Sequence, residues 1–226
     1  MKALLYKEMR LAMHPICYVF IALFPFMILI PSYPIAIGFI YVLTCYPILF
    51  LGANKGQQSN DLLYSTLLPV RKKDIVLARI MTVAIMQFAF IAITCCLLPL
   101  AFLIQKNAGP DAQMPGLGLN GFVSVLAIAI VGYSVADLMF FPIYYKNGKS
   151  IVLSTLMTIL VFVVYLGIFT IALPYIPVIK DGYLKVLQGS GLGVQFAILG
   201  GALVIYVLIH ILVYRISAKR LERVDF

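Results

Sequence analysis

The strongest constraint on this chain is where its charges are missing. Between Leu11 and Asn54 there is no Asp, Glu, Lys or Arg, and further uncharged runs cover Ile80 to Gln105, Ala112 to Ala136, Ser150 to Ile179 and Val186 to Tyr214. A helix crosses the hydrocarbon layer with about 20 apolar residues, and a charge at its centre costs several kcal/mol, so each run has the makings of a membrane span. The first run is long enough for two, broken at Pro31-Ser32-Tyr33-Pro34, where prolines remove backbone donors and force a turn. The pattern predicts a single all-α, polytopic transmembrane domain with six transmembrane helices over 15–31, 35–53, 79–104, 117–141, 150–173 and 194–214. Composition agrees, at 63% hydrophobic and 11% charged with a mean hydropathy of +1.06. Ordinary globular domains hold about 45–50% apolar and about 25% charged residues, which excludes a soluble fold. Six spans also leave no room in 226 residues for a nucleotide-binding domain, so any energy source sits on another chain.

The net charge of +9 raises the question of a nucleic-acid partner, but the basic residues punctuate apolar runs instead of gathering on one folded surface. Their placement is topological and implies no nucleic acid. With the N-terminus inside, 14 of the 17 basic residues fall in cytoplasmic segments and only Lys106, Lys180 and Lys185 fall outside. An even number of spans then puts both termini in the cytoplasm. Tyr33, Tyr144, Tyr145, Tyr175 and Tyr214 stand at expected water boundaries as an aromatic belt. The N-terminus has a charged stretch leading into a long span with Pro25 and Pro31, unlike a cleavable signal, so the first span is expected to be retained. Cys17, Cys45, Cys95 and Cys96 lie inside apolar runs without CxxC spacing and read as reduced packing residues.

Three segments outside the spans carry organisation. In residues 1–13, Leu4, Leu5, Met9 and Met13 alternate with Lys2, Lys7, Glu8 and Arg10 at near-helical spacing, as expected of a helix lying in the inner membrane interface or of a cytoplasmic extension of the first span. Residues 59–76 read as a cytoplasmic coupling region. Ser59 or Asn60 caps a short helix, Asp61 favours its first turn, Leu62, Leu63, Leu67 and Leu68 form its apolar face, and Pro69 ends it. After Arg71, Lys72 and Lys73, Asp74 begins a second helix that runs into the third span. A small amphipathic helix at a basic surface is a docking element for a partner. Residues 174–193 mix Pro174, Pro177, Asp181 and Gly182 with a short apolar stretch, which fits an outer segment, re-entrant or exposed.

No catalytic, cofactor-binding or metal-ligating set stands out. Gly116-Leu117-Gly118-Leu119-Asn120-Gly121 matches GxGxxG without a preceding strand, no GxxxxGK[ST] occurs, and His14 and His210 are far apart with no HExxH. Gly193, Ala197 and Gly201 repeat every fourth residue on the sixth span, a spacing that lets helices approach closely, within the bundle or across a dimer seam. Asp137 is the acidic residue embedded in a span. Nine residues before Lys146, it sits roughly 13 Å deeper on a straight helix, as an intramembrane functional acid or an interfacial residue satisfied by its neighbours.

Residues 1–11, Met1-Lys2-Ala3-Leu4-Leu5-Tyr6-Lys7-Glu8-Met9-Arg10-Leu11, the block Asn60 to Val76 with its Leu68-Pro69-Val70-basic turn, and Phe141-Pro142-Ile143-Tyr144-Tyr145-Lys146-Asn147-Gly148-Lys149 together resemble the membrane subunits of type-2 ATP-binding-cassette exporters, similar to small bacterial peptide-exporter permeases. The resemblance implies two permease subunits, identical or related, each docked to a cytoplasmic ATPase that holds ATP and Mg, with no cofactor on this chain. It assigns ATPase coupling to Asp61, Leu62, Leu63, Leu67, Leu68, Arg71, Lys72 and Lys73, and an interfacial helix to the segment carrying Lys7, Glu8 and Arg10. It makes Thr44, Tyr46, Ser154, Thr158 and Tyr165 candidates for the lining of the pathway, and an amphipathic or antimicrobial-type peptide the expected cargo. An ion-coupled secondary transporter and a non-transporting immunity or scaffold protein are the alternative readings.

Overall fold

Proline placement and the return of charge decide where helices begin and end. The computed structural model describes residues 2–12, 15–29, 65, 69–107, 122–147, 151–175 and 191–223. Helix α1 (Lys2–Lys7) widens into a π-helical turn, Glu8–Ala12. Helix α2 (Ile16–Leu23) tightens into a 3-10 stretch, Phe24–Leu29, where Pro25 withdraws a backbone donor. Four long helices follow: α3 (Lys72–Asn107), α4 (Phe122–Asn147), α5 (Ile151–Tyr175) and α6 (Gly191–Glu222). There is no strand among the described residues.

Among the described residues three stretches, Lys72–Ala101, Leu126–Lys146 and Gln195–Glu222, are long and apolar enough to cross a membrane, and Ile16–Leu29 and the Val152–Ile168 part of α5 are apolar as well. The 3-10 stretch rises faster per residue than an α-helix, so the described residues Ile16–Leu29 reach about 24 Å of a hydrocarbon core of about 30 Å. The expected span over 35–53, the helix over 59–68 apart from Ser65, and residues 176–190 of the outer segment lie outside the described residues.

Helix α3 begins two residues before Asp74, which stands in its first turn where the helix dipole favours a carboxylate. The Arg71 carbonyl closes that start by accepting from the Asp74 and Ile75 amides at 2.9 and 3.4 Å. Helix α4 passes through Pro142 and continues to Asn147, further than the expected end near 141. Helix α6 likewise continues past Arg215 and Lys219 to Glu222, so its last two turns form a charged stem beyond the apolar run.

Helix α4 is the centre of the bundle, packed most extensively against α6 and then α5, while α3 holds α6 and the 3-10 stretch. Within lipid, packing is driven by van der Waals fit and hydrogen bonds, because the surrounding tails are as apolar as the side chains. The core is accordingly ring-rich: Phe90, Tyr133, Phe140, Phe141, Tyr145 and Phe162 are fully buried in one cluster. Phe140 stacks on Tyr144 and Phe141 on Tyr145, with centroids 5.8 and 6.4 Å apart, so two columns of rings run down the end of α4. Four hydroxyls inside the helices are satisfied by their own backbone: Thr82, Thr94, Ser134 and Thr158 each donate to the carbonyl four residues back.

Helices α4 and α5 meet closely at Gly132. A methyl group there would lie 2.9 Å from Cε2 of Phe162 and 3.0 Å from Cε1 of Tyr165. The small residues of α6 behave differently. Gly193, Ala197 and Gly201 are exposed, and a Cβ at Gly193, Gly200 or Gly201 would meet nothing within 4 Å. Among the described residues that stripe therefore packs on nothing, because α6 turns the side bearing Ala202, Tyr206 and Val213 inward instead. Gly132→Leu should cost about 1–3 kcal/mol by overpacking, read as a thermal midpoint several degrees lower in detergent. Gly200→Leu should leave the midpoint within about a degree, since no atom stands in its way.

Candidate functional site

One end of the bundle gathers the start of α3, the ends of α4 and α6, and the N-terminal helix. Leu4 packs with Ile75 and Ala78, which lays α1 along the first turns of α3. That packing brings Glu8, in the π-helical turn, against Arg79. Arg79 Nε donates to Glu8 Oε2 at 2.8 Å, and both side chains are more than nine-tenths buried. The other carboxylate oxygen, Oε1, faces Lys7 Nζ at 3.2 Å. Arg79 Nη1 donates to the Tyr144 hydroxyl at 3.0 Å, and its guanidinium lies 5.9 Å from that ring's centroid. Each oxygen of the acid thus has its own cation, and the guanidinium is held by an acid, a hydroxyl and an aromatic face. Lys7 also donates to the hydroxyl of Ser65, which is buried and helical. The clasp joins the N-terminal helix, the 59–76 region, α3 and α4 in one hydrogen-bonded unit.

The same end is fastened from α6. Arg220 donates to the Pro142 carbonyl, and Lys73 pairs with Glu222 at 3.2 Å. The latter pair is half exposed and worth at most about 1 kcal/mol, so it marks proximity more than it supplies strength.

A second polar cluster lies deeper. Gln87, eight residues beyond Arg79 on α3, is roughly 12 Å further along the helix, level with Asp137 of α4. Gln87 Nε2 donates to Asp137 Oδ2 at 2.9 Å, and the Tyr206 hydroxyl of α6 donates to Gln87 Oε1 at 2.5 Å. His210, one turn beyond Tyr206, places Nε2 3.0 Å from the same Oδ2 and Nδ1 2.8 Å from the Tyr206 carbonyl. The first of these is an ion-pair distance but lies off the direction of a straight hydrogen bond. The two rings stack with centroids 3.9 Å apart. Asp137 and Gln87 are fully buried.

A family model described as ABC-2 family transporter protein matches residues 3–221. The chain belongs to the ABC-2 transporter family. No curated protein and no solved structure matches it. An ABC-2 protein is a membrane permease component of an ATP-binding-cassette transporter, and the family implies a cytoplasmic ATPase partner.

In this ABC-2 permease the residues expected to couple to the ATPase divide. Arg71 and Lys73 are exposed beside the clasp, Lys72 is half-buried there, and Asp61, Leu62, Leu63, Leu67 and Leu68 lie outside the described residues. Of the interfacial-helix residues, Lys7 and Glu8 turn inward into the clasp. Arg10 points outward, donating to the Tyr6 hydroxyl and lying over the Tyr6 ring. Of the candidate lining residues, Thr44 and Tyr46 lie outside the described residues. Ser154, Thr158 and Phe162 form the buried stripe of α5, and Tyr165, further along, donates from its hydroxyl to the Ile128 carbonyl of α4 at 2.8 Å. Asp137 is placed in the deeper cluster.

Sequence reasoning passed over Arg79, Gln87, Tyr206 and His210 as site residues. The available signal was spacing: Gln87 is a side-chain amide inside an uncharged run, and Tyr206 and His210 stand four apart on one face of α6. Arg79→Met should strand the buried Glu8 carboxylate and cost on the order of 3 kcal/mol in chemical or thermal unfolding. Adding Glu8→Gln to it should recover part of that loss, because the stranded charge is removed; a strictly additive double variant would contradict a direct pair.

Proposed function

We propose that this chain is the permease subunit of an ATP-driven exporter, with six spans, both termini in the cytoplasm of a bacterial cell, and a second permease subunit, identical or related, across the translocation path. ATP and Mg would be held by a separate ATPase docked on Asp61, Leu62, Leu63, Leu67 and Leu68, with Arg71, Lys72 and Lys73 beside them. The cargo is an amphipathic or antimicrobial-type peptide, passing between spans two and five with Thr44, Tyr46, Ser154, Thr158 and Tyr165 along its route.

The observation that carries this reading is the link from Ser65 through Lys7 and Glu8 to Arg79 and Tyr144. Ser65 lies within the segment an ATPase would grip. A push there reaches α3 through Arg79 and α4 through Tyr144, so closure of the ATPase becomes rigid-body rocking of packed helices. The rival, an ion-coupled carrier, draws on the Asp137 and His210 contact. The two readings separate on the requirement for ATP.

Co-expression with its ABC ATPase partner should give a stable complex, and charge reversal at Arg71, Lys72 and Lys73 together should reduce its recovery several-fold. In proteoliposomes Arg79→Met should keep ATP hydrolysis within about threefold of the parent while peptide transport falls at least tenfold. Transport by the purified chain alone, driven by a pH or sodium gradient without ATP, would overturn the proposal.

A further inference from the structure

The deeper cluster contains an arrangement that the exporter reading does not use. His210 Nδ1 lies 2.8 Å from a backbone carbonyl, which can only accept, so Nδ1 carries the hydrogen. A neutral imidazole has one donor nitrogen, which would leave Nε2 as a bare acceptor 3.0 Å from the Asp137 carboxylate oxygen. Two acceptors at that distance repel, and strongly so away from water. A hydrogen on Nε2 turns the same contact into an imidazolium–carboxylate attraction, which acts at this distance without needing the linear geometry that the contact lacks. The surroundings match those charges. The Gln87 amide donates to the oxygen that faces His210, as suits an anion, and the Tyr206 ring stacks on the imidazole, as suits a cation. Gln87 is in turn fixed by the Tyr206 hydroxyl.

We propose that Asp137 and His210 form a proton-binding site inside the helical bundle, and that the bound proton holds α6 against α4. Among the described residues the titratable groups at the site are Asp137 and Tyr133 from α4 and Tyr206 and His210 from α6, while α3 contributes the uncharged Gln87. Loss of the proton from Nε2 to hydroxide returns the neutral ring, with its lone pair facing the carboxylate, and weakens the α4–α6 contact at that level. Protonation thus becomes a control on the packing of the central helix, separate from the clasp and from any ATPase.

The sign follows from proton counting. With the proton on Nε2 the two helices attract at this level and without it they repel, so folding stability should fall as rising pH removes that proton. Thermal unfolding of the full-length chain in nanodiscs at pH 6 and pH 8.5 reads this directly. The parent midpoint should drop by several degrees across that interval, and Asp137→Asn and His210→Gln should each abolish most of the drop. An equal drop in all three proteins overturns the proposal. Should those variants fail to fold, the second readout is the 15N spectrum of a His14→Gln protein, in which His210 is the one remaining histidine. At pH 7.5 both ring nitrogens should carry hydrogen, and a bare Nε2 overturns the proposal. Neither measurement involves transport, so a failed exporter assay and a failed proton site are distinguishable.

Discussion

The account rests on a carboxylate and a guanidinium withdrawn from water at one end of the bundle. Glu8 and Arg79 are each more than nine-tenths buried, and removing two such ions from water costs several kcal/mol per ion unless every lone pair and proton finds a partner. Lys7 and Tyr144 complete the set. The pair is therefore less a source of stability than a constraint: the N-terminal helix, α3 and α4 cannot separate at this end without leaving a charge stranded. A constraint of that kind makes several elements move as one body, which is what a transporter driven from outside its own chain requires.

Beyond the clasp, several polar groups of the helices find their partners inside the bundle. Span hydroxyls return to their own backbone, Tyr165 reaches the backbone of α4, and the acid in α4 is met by an amide from α3 and an imidazole from α6. Fit supplies the remaining cohesion, with Gly132 admitting the rings of α5 and the ring columns of α4 ending at the Tyr144 that Arg79 touches. The outer surfaces of α5 and α6 carry the exposed large apolar side chains, such as Leu156, Leu160, Val204 and Leu208, as a membrane surface must.

Helix type and the three long apolar stretches were legible because charge is so costly in lipid that its absence draws the spans. The helix expected to begin at Asp74 begins two residues earlier, at Lys72, with Asp74 in its first turn. Helix ends were less legible. The path of α4 through Pro142 and the extension of α6 to Glu222 depend on contacts such as that between Arg220 and the Pro142 carbonyl, and no local pattern encodes them. The clasp was legible by halves. Glu8 and Lys7 were singled out as parts of an interfacial helix, but their union with Arg79 joins residues 71 positions apart, and only the packing of Leu4 on Ile75 and Ala78 brings it about. His210 looked isolated for the same reason, since its partner sits on another helix. The stripe of Gly193, Ala197 and Gly201 shows the converse: spacing permits close approach, but which face of a helix turns inward is settled by the polar residues it must satisfy.

The central claim is that the end of the bundle bearing the clasp faces the compartment of the ATPase and lies beneath it. Thiol labelling with a membrane-impermeant reagent tests it most directly, using Val70→Cys and Lys219→Cys, both exposed at that end, in a chain whose own cysteines are replaced. In intact cells both positions should stay unlabelled, in inverted vesicles both should react, and bound ATPase should protect position 70. Labelling of either position from outside the cell would contradict the account.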